Sequence, residues 1–170
     1  MDQEKDTTIQ FSGLKSGRYT FDFVLDDDFF GKFENEEIGG GDVHFHVDLD
    51  RKERTLIFNF SFAGTLATTC DRCLGPMTVE LKGTDALCVR FSDTETSDQE
   101  DVAILPENAI EIDLAPYMYE MSAVRLPLQH IHADGQCDPT VAALLEQHQP
   151  STATTDPRWD ALLKLKNENK

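Results

Sequence analysis

Two cysteines stand three positions apart in the run Cys70-Asp71-Arg72-Cys73-Leu74-Gly75-Pro76. Thiolates at that spacing on one tight turn can hold half of a zinc ion's coordination shell. A closed zinc site takes four ligands, usually thiolates and imidazoles. Downstream, His130, His132 and Cys137 offer the remainder, as His-x-His or as His-x4-Cys. The plain alternative is a metal-free turn whose thiols pack. Thiol–disulfide exchange fits less well: reactive Cys-x2-Cys pairs open a helix whose dipole lowers the thiol pKa, and here Leu-Gly-Pro and then a strand follow. Nothing links Ser, His and Asp at a nucleophile elbow. Gly39-Gly40-Gly41 makes a flexible turn, with neither the lysine nor the helix that a phosphate loop needs after it. The chain is therefore expected not to be an enzyme.

Three further groups carry chemistry less specifically. His44 and His46 share one face of a strand, where a solvated sheet surface is the simpler expectation than a metal pair. Cys88 lies within a strand as a packed free thiol. Arg72, between the two turn cysteines, is exposed by the turn's geometry and is the first candidate for a partner contact.

The elements that must position these residues follow from periodicity. Tyr19, Phe21, Phe23 and Leu25 alternate with polar residues, as do Val43, Phe45, Val47 and Leu49, and then Leu56, Phe58, Phe60 and Phe62. Period-two alternation predicts strands with one buried face. Gly64 suggests a bulge or bend. Past the cysteine turn, Met77, Val79, Leu81, Leu87, Val89 and Phe91 continue the pattern. The turn thus joins two long antiparallel strands of a twisted sheet over 9–91 that leans towards a barrel. Phe29, Phe30 and Phe33 are expected to fold back as core under a loop. Ile110–Asp113 reads as a short strand. Leu114, Tyr117, Met118, Met121 and Val124 recur at helical spacing, with Asp113 as cap and Pro116 in the first turn; Leu126-Pro127 ends that helix. Asp138-Pro139 and Asp156-Pro157 start two more helices by the same device, Asp capping and Pro in the first turn. The last presents Trp159, Leu162, Leu163 and Lys166 on one face, to dock on the body or to serve as a recognition peptide. The fold class is α+β: an antiparallel sheet followed by C-terminal helices. A single domain over 1–148 is expected, with a linker and terminal amphipathic helix over 149–170.

Charge narrows the partners. The 170 residues carry a formal net charge of −17. Phosphate contacts need Lys and Arg, so broad nucleic-acid binding is disfavoured and a basic protein partner is favoured. No Lys or Arg occurs between Arg90 and Arg125. Within that acidic stretch Asp98, Glu100 and Asp101 are candidate docking residues, beside Arg72 and Trp159. The densest basic spot is Asp50-Arg51-Lys52-Glu53-Arg54. A polar, acidic start and the lack of any apolar run of about 20 residues predict a cytoplasmic protein without a membrane span.

Two stretches resemble a known family. Cys70-Asp71-Arg72-Cys73-Leu74, entered and left by strands, is similar to the signature of the bacterial and plastid large-ribosomal-RNA-subunit accumulation proteins. Asp156-Pro157-Arg158-Trp159-Asp160-Ala161-Leu162 resembles that family's terminal Asp-Pro-Arg-x-x-x-Leu motif, and Leu126-Pro127 also fits. The resemblance implies a role in accumulation or maturation of large-subunit ribosomal RNA, with no catalytic residue to carry over. It also implies a zinc site completed by cysteines after the Leu-Pro. Only Cys137 stands there in this chain, with His130 and His132 nearby, which departs from the family's pattern; Cys70, Cys73, His132 and Cys137 are the candidate ligand set. The expected action is through a basic ribosomal protein or assembly factor, with ribosomal RNA contacted locally or indirectly. The competing classes are a metal-dependent or redox protein working through Cys70 and Cys73, and an acidic chaperone for a basic protein.

Overall fold

A computed structural model describes residues 7–92 and 102–148. The chain divides into two compact units, Met1–Ile131 and His132–Lys170.

In the first unit the alternating segments form strands that are longer than most. Strands β2 (Gly17–Leu25), β3 (Gly40–Arg51), β4 (Thr55–Thr69) and β5 (Pro76–Phe91) run antiparallel to their neighbours. Strand β6 (Val102–Leu105) adds to β5 in parallel, with Cys88 opposite Val102. The order β2-β3-β4-β5-β6 leaves the sheet open, which corrects the expected lean towards a barrel and adds a parallel pair to an otherwise antiparallel arrangement. A separate ribbon pairs β1 (Thr8–Gln10) with β7 (Glu111–Asp113), Ile9 opposite Ile112.

One sheet face supplies the core. Phe45, Val47, Leu49, Leu56, Phe58, Phe60, Phe62 and Val89 are buried there. Helix α1 (Asp27–Phe30), the β1–β7 ribbon and helix α2 (Ala115–Ala123) close over that face through Phe29, Phe30, Ile9, Ile112 and Met118. Burying each such side chain is worth about 1.5–3 kcal/mol of hydrophobic stabilisation. Phe29 and Phe30 are core, as expected, but they sit on a helical turn capped by Asp26, whose carboxylate accepts from the Phe29 amide at 3.2 Å. The opposite sheet face carries Asp22, His44, His46, Asp48, Asn59 and Ser61 in solvent.

Three local expectations change. Gly40 and Gly41 belong to β3 rather than to a turn, because the chain there passes close to neighbours: a Cβ on Gly41 would meet the Thr65 carbonyl oxygen at 2.8 Å. Gly64 makes no bulge; it keeps regular pairing with Val43 and Leu81, and its missing side chain lets the Asp42 carbonyl and Val43 Cα approach. Leu114, not Asp113, occupies the α2 cap, while the Asp113 carboxylate still accepts from the Ala115 amide at 2.9 Å.

In the second unit, helix α3 (Pro139–Gln147) begins as expected. The Asp138 side chain accepts from the Thr140 amide at 2.8 Å and from Val141 at 3.3 Å. These bonds hold the Asp138 carboxyl below its ordinary pKa. No helix of the described residues is long and apolar enough to cross a membrane.

Candidate metal centre

The β4–β5 connection is built around its cysteines. The Cys70 amide donates to the Gly75 carbonyl at 2.8 Å, and the Leu74 amide returns to the Cys70 carbonyl at 2.8 Å. This closes the turn and puts both thiols on one side of it. The Arg72 amide donates to Cys70 Sγ at 3.4 Å, which suits a sulfur carrying negative charge. Cys70 is buried and Cys73 half-buried. Leu74 takes the left-handed conformation, φ 56°, and is 77% exposed. A branched side chain in that conformation costs about 1–2 kcal/mol, so the turn's closure is maintained against strain.

A second segment is fastened to the turn between the cysteines. The Asp71 amide donates to the His130 carbonyl at 2.9 Å, and the His130 amide donates to Asp71 Oδ2 at 2.8 Å. His130 Nε2 faces Asp71 Oδ1 at 3.5 Å, while its Nδ1 lies 3.2 Å from the Pro127 carbonyl. His130 thus meets the turn through Asp71 and stands outside the group of gathered donors. His132 Nδ1 and Cys137 Sγ stand 4.0 Å apart.

The donor atoms of Cys70, Cys73, His132 and Cys137 lie within 4.8 Å of one another. Ligands around one zinc stand roughly 3–4 Å apart, given metal–donor distances near 2.0–2.3 Å. Three sulfurs and one imidazole match zinc's preference for soft and borderline donors in a closed tetrahedral set. The donor types therefore fit the ion. His44 and His46 belong to no such group among the described residues. They sit in solvent, with His46 Nδ1 at 2.8 Å from Asp22 Oδ1 and His44 Nε2 at 3.4 Å from Asp42 Oδ1.

Among the other candidate contacts, Arg72 is exposed on the turn. Asp98, Glu100, Asp101 and Trp159 lie outside the described residues. Sequence alone missed Asp71 and His130 as the fastening pair. The only signal was position: one lies between the cysteines and the other two residues before His132.

An open, mostly antiparallel sheet with a cysteine turn at one end defines the class, and comparison with known families makes it specific. The family described as large ribosomal RNA subunit accumulation protein YceD matches residues 58–166. The chain belongs to this family, and the matched span contains the cysteine turn, the His130 anchor, His132 and Cys137. No curated protein and no solved structure matches the chain.

Proposed function

We propose that this protein is a non-enzymatic factor for accumulation or maturation of large-subunit ribosomal RNA. It works through a basic ribosomal protein or assembly factor of the large subunit. Cys70, Cys73, His132 and Cys137 hold a structural zinc that stiffens the exposed tip formed by Arg72 and Leu74. The close approach of these four donors within the family-matched span is the observation that carries the reading.

The chemistry agrees with a closed, structural ion. Four protein ligands leave no open position for water or substrate, as a catalytic zinc would need. The net charge of −17 favours association with cations and disfavours general RNA binding. Arg72 and Leu74 would then contact the partner at the tip, while carboxylates supply long-range attraction. Of the competing classes, redox work by Cys70 and Cys73 is opposed by the strand that follows the turn. An acidic chaperone differs only in whether RNA is in the complex.

The test is depletion of the protein with measurement of both ribosomal RNAs, together with isolation of its complexes at physiological salt. The expected outcome is a selective fall in large-subunit RNA and co-isolation of a basic large-subunit protein, weakened in Arg72→Ala. Unchanged RNA levels, or complexes lacking any basic ribosomal component, would overturn the reading.

A further inference from the structure

The cations of the first unit are not spread over it. The described residues contain ten, and Lys15, Arg18, Arg51, Lys52, Arg54 and Arg90 gather at one end of the sheet. The pairing register causes this. Arg51 ends β3, Lys52 to Arg54 form the β3–β4 connection, Arg18 stands opposite Asp50 beside it, and Arg90 of β5 stands opposite Thr55. Among the described residues, Asp50, Glu53 and Glu107 accompany them there. Lys52 lies 3.7 Å from Asp50, and Arg54 lies 2.6 Å from Glu107. Lys15, Arg18 and Arg90 are exposed, and no carboxylate of the described residues pairs with them. Arg51 is spent structurally: its guanidinium donates to the Phe11 and Leu14 carbonyls and lies over the Phe11 ring at 5.9 Å.

This end is opposite the cysteine turn. Strand β4 runs from Thr55 to Thr69, 15 residues, so the two ends stand about 50 Å apart at roughly 3.3 Å per residue. The Debye length at physiological salt is about 8 Å. Carboxylates towards the far end are therefore screened from this patch several times over. Arg18 and Arg90 lie on the same sheet face, three strand spacings and two residues apart, or about 16 Å.

We propose that the β3–β4 end, through Arg18, Lys52 and Arg90 with Lys15 and Arg54 beside them, contacts the phosphodiester backbone of RNA. The choice of RNA among polyanions rests on the ribosomal-RNA reading above. The contact is local and sequence-independent, since exposed arginines and a lysine on a flat sheet end neutralise phosphates without reading bases. An acidic protein with one cationic end can thus hold a basic partner elsewhere and still touch the RNA. Three or four phosphate contacts predict a log–log salt slope of roughly −2 to −3 on single strands.

The test uses the full chain and a fluorescein-labelled single-stranded RNA of mixed sequence, titrated by anisotropy at several salt concentrations. Arg18→Ala/Arg90→Ala is compared with Lys32→Ala/Lys82→Ala, which removes the same charge elsewhere. The proposal expects at least a tenfold loss in the first variant, little change in the second, and the stated slope for the native chain. No binding by the native chain, equal losses in both variants, or equally tight binding of a poly-glutamate chain would overturn it. Failure of the functional reading looks different: large-subunit RNA would stay at its normal level without the protein, while the RNA contact itself persisted in the titration.

Discussion

Asp71 and His130 are bonded through both backbone and side chain although 59 residues separate them: the Asp71 amide reaches the His130 carbonyl at 2.9 Å, and Asp71 Oδ2 accepts the His130 amide at 2.8 Å. The carboxylate thus holds the chain two residues before His132 against the cysteine turn. Residues that orient metal ligands from behind typically contribute 10–100-fold to affinity. Asp71→Ala should therefore weaken zinc retention by about that factor, measured by competition with a chelator. Asp71→Asn keeps an acceptor for the His130 amide and should lose much less.

Leu74 is exposed and holds a left-handed backbone conformation that glycine adopts freely. Leu74→Gly should raise stability in urea by about 0.5–1 kcal/mol, strain relief being partly offset by the freer unfolded chain. If Leu74 is kept for contact, the same variant should bind the basic partner less tightly. Unchanged binding with raised stability would remove Leu74 from the interface.

Two glycines differ in what stands over them. At Gly83 a side chain would strike the Arg125 guanidinium and the Phe62 ring, and arginine can swing away; at Gly64 it would strike the Asp42 carbonyl and Val43 Cα, which belong to the paired strand. Arg125 also donates to the Thr84 carbonyl at 3.2 Å and lies over Phe62 at 5.6 Å. Gly83→Ala should cost about 1–3 kcal/mol, the usual range for overpacking. Gly64→Ala should cost more, because backbone must move. Urea denaturation of both variants checks the order.

His46 titrates above its ordinary value of 6.5, chiefly through the hydrogen bond to Asp22, with the charges of Asp22 and Asp48 adding. Its protonated form is the one the fold favours. The stabilising contribution is complete below the ordinary value and is lost as pH rises through the elevated one. Proton NMR should give a midpoint above 6.5 that moves back towards it in Asp22→Asn. An unshifted midpoint in the native chain would remove the pairing.

Much of the fold is visible in period-two alternation, and the long strands β3, β4 and β5 follow it directly. Helix α3 is equally legible, since Asp138 and Pro139 mark its start. Short elements are less so. Strand β7 is legible in Ile110–Asp113, but helix α1 has four residues, too few to show a period, and β1 has three. The parallel pairing of Val102–Leu105 with β5 depends on tertiary contact, which alternation does not encode. At the candidate site the ligand types and spacings were legible, but the Asp71–His130 fastening was not, because a bond between distant residues leaves no local pattern. The cationic end was hidden for the same reason: Arg18 and Arg90 meet the β3–β4 connection only through register.

Cys70, Cys73, His132 and Cys137 are proposed to close one structural zinc site. Its most direct test is metal analysis of protein purified without added metal or a metal-binding tag, beside Cys70→Ser and Cys88→Ser. About one zinc per chain is expected in the native protein and in Cys88→Ser, a residue of β5 opposite Val102, and loss of the ion in Cys70→Ser. Native protein without metal, or zinc retained at full stoichiometry by Cys70→Ser, would contradict it.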